Sequence, residues 1–314
     1  YIPVTSFGGK YVDFDSDNLS LNPLLLQENF QNKEFLRDFI KILVNGAKNK
    51  TEEDQISSFV RNNFKIDPDS RNLSSIVQIS PKSEVDSLTN RMEKFFPDHD
   101  LGKYFNGKKN LLSFENNFLG FNMTQLIQDS NKSEILTPLF YFITHSFAEY
   151  IRNNPSPHIV FIDEVGSYIK SDHFANFIEK ACQEWRKKKG TIILAVQNPS
   201  QILDHPNGKK IITNISNYII FPDPNASSEY YQRDLNLNDQ EFAWVKNSNI
   251  YDRNILFKRK NGSSQILNID LSYIGDYLNL FSGSSDLVRE YKDMENSEKD
   301  TNKVIEKFVK IFSS

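Results

Sequence analysis

The sequence predicts an α/β fold in which apolar strands alternate with amphipathic helices and an all-helical segment interrupts the sheet near its start. Three observations carry this prediction. Runs at His158–Asp163, Thr191–Gln197 and Asn217–Phe221 are apolar throughout rather than at every second residue, the pattern of strands buried in a parallel sheet. From about Asn29 to Phe105 the apolar residues instead recur at helical spacing. Of the 314 residues 38% are hydrophobic and 25% charged, with 25 Phe and 13 Tyr, enough bulky apolar surface to build a core. Length alone leaves one large domain or two ordinary ones open.

In chain order, Lys10–Asp15 reads as a first strand, followed by a polar turn at Asp17–Ser20 and by Leu21–Leu26, where Pro23 prevents a regular helix. Phe35, Leu36, Phe39, Ile40 and Leu43 then share one helical face, and further amphipathic stretches follow at 52–64 and 83–96. Strand signals return at Leu111–Glu115 and Leu119–Asn122, and Ile135–Ile151 reads as a long buried helix. Between the strands at 158 and 191, the helix Asp172–Lys188 places Phe174, Phe177, Ile178, Ala181, Cys182 and Trp185 on one face, with Gly190 as its stop. Tyr251–Arg259 and Ser264–Leu271 flank the turn pair Asn261-Gly262 and predict a hairpin, and the Glu/Lys-rich tail from Ser284 predicts an amphipathic helix. The domain reading is a motor-domain start at 1–28, a helical insertion at 29–107, the core at 108–283 and a helical tail at 284–314.

Composition removes several functions. No apolar run reaches the ~18 residues of a membrane span, and the first fifteen residues lack both a basic leader and an apolar core for a signal peptide. The single cysteine, Cys182, has no partner for an internal disulfide and falls on an apolar helix face, the place of an inert thiol in a reducing compartment. The net charge is −4 and Lys and Arg are scattered, so DNA contact is not indicated by charge, although it is not excluded either. His145, His158 and His173 show no metal-ligand spacing and read as core or surface residues.

Chemistry concentrates in HIVFIDEVG, where four apolar residues run into Asp163-Glu164 at the C-terminal edge of a strand. Open α/β sheets bind ligands at that edge. This is the Walker B arrangement of phosphate-cleaving motors, in which the first carboxylate holds Mg²⁺ through its water shell and the second polarises the attacking water. Carboxylates also mark strand ends that merely reach solvent. The next strand, however, ends in Gln197, a polar side chain placed to contact a γ-phosphate or its attacking water, and one helix separates the two strands as a right-handed crossover requires. Arg186, in WRKKKG, and Arg253, in YDRNILF, are candidates for a charge supplied to a nucleotide at a subunit boundary. Arg186 also suits a helix C-terminus by charge alone, and the sequence does not choose between them. Gly9-Lys10, Gly102-Lys103, Gly107-Lys108 and Gly208-Lys209 are followed by Tyr, Tyr, Lys and Lys, so none is a phosphate-binding loop, which needs Ser or Thr after the lysine.

The order of motifs resembles one family, the large ATPases of type IV secretion and conjugation systems, the CagE/TrbE/TraC group of VirB type. GGKYVDFD and LNPL resemble the segment that follows the family's Walker A helix, FIDEVGSYI its Walker B, EWRKKKGTIILAVQNPSQIL its Arg-Lys–strand–Gln motif, YIIFPDPNA with LNLNDQEF the stretch beyond, and DRNILFKRKNGSSQILNIDLS the end of the motor domain. The resemblance implies a RecA-like P-loop NTPase sheet with an all-α insertion, lacking the N-terminal Walker A strand. It also implies ATP and Mg²⁺ as cofactors, with Asp163, Glu164, Gln197 and Arg186 at the motif positions. Its further implications are a homo-oligomeric ring, a hexamer, working with other type IV secretion components of the inner membrane, and a location in the bacterial cytoplasm at that membrane's cytoplasmic face. Val165-Gly166 departs from the family's bulky residue after the carboxylates. The chain is therefore expected to be a truncated or split motor, inactive alone and poorly soluble, or else a non-hydrolysing module that binds a secretion partner. A DNA-translocating relative of the same fold is the third reading.

Overall fold

The computed structural model describes residues 1–14, 19–78, 88–129, 133–169, 172–260 and 262–312. They divide into two compact units, residues 7–154 and residues 1–6 with 155–314. The second of these opens with a short helix, α1 (Ile2–Ser6).

In the unit 7–154, β1 (Lys10–Asp13) pairs in parallel with β2 (Leu119–Asn122), Lys10 opposite Leu119. Every regular element lying between them in sequence is helical among the described residues: α2 (Phe30–Leu43), α3 (Lys50–Asn63), α4 (Leu73–Gln78), α5 (Leu88–Glu93) and short 3₁₀ turns. Local chemistry starts the two long helices. Asn29 accepts a hydrogen bond from the Asn32 N–H at 2.7 Å, and Asn49 accepts one from the Glu52 N–H at 3.0 Å, each satisfying a donor that the first helical turn leaves open. All five residues predicted for the inner face of α2, Phe35, Leu36, Phe39, Ile40 and Leu43, are buried. At the end of α2, Arg91 donates to the carbonyls of Val44 (2.6 Å) and Gly46 (2.9 Å) and pairs with Glu52, which ties α5 and α3 to that terminus. Pro23 opens a single 3₁₀ turn, as its fixed geometry predicts. The unit continues through α6 (Thr124–Gln128) and α7 (Ser133–Asn153).

The predicted strand Leu111–Glu115 does not form. The Leu111 N–H donates to the Ser20 carbonyl at 2.9 Å and its own carbonyl accepts from Lys10 Nζ at 3.0 Å, so its backbone is satisfied by loop and side-chain partners rather than by a ladder. Phe114 packs on Phe121, Phe147 and Tyr150, which anchors the segment by aromatic contact.

In the other unit, β3 (His158–Ile162) lies parallel to β4 (Gly190–Leu194), His158 opposite Gly190. The connection runs through α8 (Val165–Tyr168) and α9 (Asp172–Glu184), the latter continued by a 3₁₀ turn, Trp185–Lys188. Phe174, Ile178 and Ala181 of α9 are buried as predicted, whereas Phe177, Cys182 and Trp185 are half-buried. The helix stop falls on Lys189, which adopts a left-handed conformation (φ 59°), and not on Gly190. The glycine meets a different demand: a Cβ there would lie 2.3 Å from His158 Nε2, so close pairing of the two strand starts requires its absence.

After α10 (Ser200–Leu203) and α11 (Gly208–Asn214), β5 (Asn217–Ile220) departs from the parallel expectation and pairs antiparallel with β6 (Asn254–Arg259), which pairs antiparallel with β7 (Ser264–Asn268). The chain returns through α12 (Asp239–Asn247) and the β6–β7 hairpin. The reversal buries Ile220, Tyr231, Leu237, Val245 and Leu256 in one cluster. Full burial of the strands is also corrected: Ile159 (71% exposed) and Phe161 (61%) stand on an open face of the β3–β4 pair, because a two-stranded sheet covered by helices on one side leaves the other uncovered. The predicted tail forms two helices, α13 (Ser285–Ser297) and α14 (Thr301–Phe312), whose Tyr291, Met294, Val304 and Phe308 pack with Ile2 of α1. Residues 15–18, 83–87 and Asn261, which enter the predicted first strand and turn, the 83–96 stretch and the hairpin turn, lie outside the described residues.

One buried ion pair joins α12 to the three-stranded sheet. Lys258 Nζ donates to both Glu241 carboxylate oxygens, at 3.0 and 2.7 Å. Glu241 also completes a capping box with Asn238, each side chain accepting the other's backbone N–H. Burial opposes ionisation of Glu241, but its hydrogen bonds from Lys258, Ser264 and the Asn238 backbone outweigh that and hold its pKa below the usual carboxylate value. Because the folded-state pKa is lowered, the stabilisation is present above the unfolded-state carboxylate pKa and is lost as pH falls through the folded one. Lys258→Met strands the carboxylate and is expected to cost about 3 kcal/mol of stability by denaturant unfolding, with the acid-unfolding midpoint moving to higher pH. Adding Glu241→Gln should recover a large part of the loss; two independent, additive losses would show that the pair does not act as a unit.

Candidate functional site

The parallel register of β3 and β4 ends at Ile162 opposite Leu194, but the backbone pairing continues one step further. The Ala195 N–H donates to the Ile162 carbonyl at 2.9 Å and the Val165 N–H to the Ala195 carbonyl at 3.1 Å. These bonds bring Asp163 and Glu164 beside the segment that carries Gln197, at the C-terminal edge of both strands. All three residues are exposed. Gln197, predicted at a strand end, stands three residues beyond Leu194 in a turn, where its backbone N–H donates to Gln201 Oε1 at 3.2 Å.

The chain turns sharply at the carboxylates. Asp163 Oδ1 accepts the Glu164 N–H at 2.9 Å, and Glu164 takes a left-handed conformation (φ 50°, ψ 40°) before α8 begins. A residue with a Cβ adopts that conformation at a cost of roughly 1–2 kcal/mol. The strain turns the backbone within one residue and leaves two adjacent carboxylates at the sheet edge. Tyr168, one turn on, stacks on Phe174 with ring centroids 5.2 Å apart; burial, and then the negative charges of Glu164 and Asp163, push its phenol up to about 12.

The two arginines are carried by other elements. The backbone of Arg186 lies in the 3₁₀ turn before β4, at the strand's N-terminal end, so five strand residues, roughly 16 Å of rise, separate it from the edge that carries Gln197. Arg253 is exposed in a left-handed conformation (φ 54°) at the start of β6, in the separate three-stranded sheet, and its carbonyl accepts the Ile269 N–H at 2.8 Å. The backbone pairing thus brings the Asp163-Glu164 segment and the Gln197 turn together, while the backbone of Arg186 sits at the opposite end of β4 and Arg253 in the other sheet.

The remaining titratable candidates have structural settings. Burial pushes the Cys182 thiol up to about 11, which keeps it protonated and unreactive. His145 stacks on Phe35 at 4.0 Å and shares a 2.7 Å hydrogen bond with Asn32 Oδ1; burial, and then the charge of Arg152, lower it to about 4. His158 packs edge-on against Trp185. The side chain of His173 lies outside the described residues.

Among the described residues no three His, Cys, Asp or Glu side chains are grouped to hold a metal by themselves. Mg²⁺ does not require such a cage, since it keeps several waters and takes one or two carboxylates plus substrate phosphates. The exposed carboxylate of Asp163 at the sheet edge fits that mode. Sequence reading missed Gln201 and the left-handed turn at Glu164. The first had only a place in NPSQIL, and the second depends on φ, which no residue type declares.

No family model matches the chain. Curated relatives do: a VirB4 protein of Rhizobium radiobacter is 25% identical over 293 residues, 91% of this chain, and a type IV secretion system protein VirB4 of Bartonella henselae is 23% identical over 287 residues, 90% of it. In each case the match takes in 36% of the relative, so the chain spans about a third of the length of these proteins. Among solved structures, VirB4 of Thermoanaerobacter pseudethanolicus superposes with a TM-score of 0.67 at 14% identity, covering 85% of this chain and 78% of that one. The plasmid coupling protein TrwB, in complex with a non-hydrolysable ATP analogue, gives 0.51 at 11% identity over 83% of this chain and 74% of its own. The fold is that of the RecA-like P-loop NTPases. Within that class the chain is similar in sequence to the VirB4 proteins of type IV secretion systems, the family its motif order resembles. No helix among the described residues is long and apolar enough to cross a membrane.

The left-handed turn separates stability from chemistry at Glu164. Glu164→Gly, which adopts that conformation freely, is expected to be more stable than Glu164→Ala by roughly 1 kcal/mol in thermal or denaturant unfolding. Equal stabilities would mean that the turn carries no strain.

Proposed function

We propose that the chain is the C-terminal motor segment of an ATP-hydrolysing subunit of a bacterial type IV secretion or conjugation system. One observation carries the reading: Asp163-Glu164 and Gln197 emerge side by side from adjacent parallel strands of a RecA-like fold, at the edge where such folds bind nucleotide. When bound, Mg²⁺ would neutralise developing charge on the phosphates, held at Asp163 through water. The Glu164 carboxylate accepts a proton-bearing contact from the attacking water and orients it. The Gln197 carboxamide, able both to donate and to accept, holds the γ-phosphate or that water from the neighbouring strand.

The 314 residues contain no Gly-rich loop ending in Lys-Ser or Lys-Thr, so the phosphate cradle must come from outside them and these residues alone should not turn ATP over. The apolar face of β3–β4, with Ile159, Phe161 and Ile193 exposed, is surface that a further layer of the protein would cover. That Arg186 and Arg253 are carried by elements other than the segments of the carboxylates and Gln197 suits residues that act on a neighbouring subunit's nucleotide in a homo-oligomeric ring, a hexamer. The helices between parallel neighbours β1 and β2 support the reading of 29–107 as an insertion, with 1–28 and 108–283 as the motor and 284–314 as its tail. The subunit would work beside other secretion components at the cytoplasmic face of the inner membrane, powering pilus assembly or substrate transfer. The lack of a phosphate loop in this sequence favours one second reading, a module of the same machinery that binds a partner without hydrolysing ATP.

A form of the protein that carries a phosphate loop is expected to hydrolyse Mg-ATP where the 314 residues do not. Glu164→Gln in that form should lower kcat by about 100-fold or more while nucleotide still binds. Unchanged turnover removes Glu164 from the mechanism, and a protein that neither binds nor hydrolyses ATP is the partner-binding module.

A further inference from the structure

The turn after β4 is held by a residue with no role in the reading above. Gln201, on α10, directs Oε1 at the Gln197 N–H, 3.2 Å away. The same side chain lies flat on the backbone of Gly166 in α8: a Cβ at residue 166 would come within 2.8 Å of Gln201 Cβ, 2.9 Å of its Cδ and 3.0 Å of Oε1. A side chain at residue 166 would displace Gln201 from these contacts. The side chain of Gln201 occupies the space over residue 166.

The base of this side chain is itself fixed. Asn198, two residues before α10, accepts the Ser200 N–H on Oδ1 at 2.9 Å and the Gln201 N–H on its carbonyl at 3.1 Å. At the other end of the helix, Asp204 Oδ1 accepts the Tyr230 hydroxyl at 2.9 Å. A short helix held at both ends presents one side chain to α8 and to the Gln197 turn together.

We propose that Gln201 is a positioning residue that couples the two halves of the candidate site: it sets the Gln197 turn against the segment 163–168, so that a shift of the carboxylates on one strand is transmitted to Gln197 on the other. The coupling needs both the oxygen of Gln201 and the bare backbone at Gly166. A catalytic consequence rests on the nucleotide reading, but the coupling itself does not.

Backbone amide exchange, resolved at Gln197 in the full 314-residue chain, tests the contact without nucleotide. Gln201→Ala removes the acceptor and is expected to speed exchange at Gln197 about fivefold, while Gln201→Glu, which keeps an acceptor oxygen at the same reach, stays within about twofold of the parent. Gly166→Ala, which displaces the side chain from its seat, should reproduce the effect of Gln201→Ala. Unchanged exchange at Gln197 in both Gln201→Ala and Gly166→Ala overturns the proposal. In a form that carries a phosphate loop, Gln201→Ala should lower kcat about tenfold with KM within about twofold, the mark of a group misplaced in the transition state. A loss of ATP binding with kcat retained overturns the positioning role. If the exchange pattern holds in a protein that never hydrolyses ATP, the coupling stands and the motor reading falls.

Discussion

The pairing of β3 with β4 is the constraint on which the site depends. Two five-residue strands in parallel register, extended by the bonds of Ala195 to Ile162 and of Val165 to Ala195, fix where both chains leave the sheet. Parallel pairing places both exits at the same edge, so the residues that follow each strand meet there. At the opposite end the register demands a glycine at 190, because the His158 ring occupies the space of a side chain. A shift of one residue would turn every side chain of β3 to the other face and separate Asp163 from the Gln197 turn.

From that edge outward the site is built from local turns rather than from a buried cluster. Glu164 bears a left-handed backbone so that the chain reverses at once, and Asp163 satisfies the Glu164 N–H that the reversal leaves without a helical partner. Gln201 holds the facing turn. These are exposed hydrogen bonds, modest singly at about 1 kcal/mol, and their effect is to fix geometry more than to stabilise the fold. Stability comes from elsewhere in the molecule, notably the aromatic core around α2 and the Lys258–Glu241 pair under α12.

On the proposed reading, a carboxylate pair beside a glutamine is the water-orienting part of a nucleotide site. Its two carboxylates and its carboxamide leave the sheet at one edge, where both donors and acceptors face solvent. On β3, Ile159 and Phe161 have the composition of a core and the exposure of a surface.

The sequence by itself determined the elements whose signal is local. The helical face of α2, the strands at 119, 158 and 191, the hairpin partners and the tail helices were legible because hydrophobic period and capping residues act within a few positions of each other. The Asp163-Glu164 pair and Gln197 were legible too, since each follows directly on an apolar run. Only the tertiary structure decided what depends on a partner distant in sequence. Leu111–Glu115 alternates like a strand, but its backbone bonds go to Ser20 and Lys10; β5 is apolar like its neighbours, but the strand that reaches it comes from the opposite direction. The same holds for the seat of Gln201 on Gly166 and for the turn at Glu164, because a residue's letter states its chemistry and not the space its neighbours leave for it.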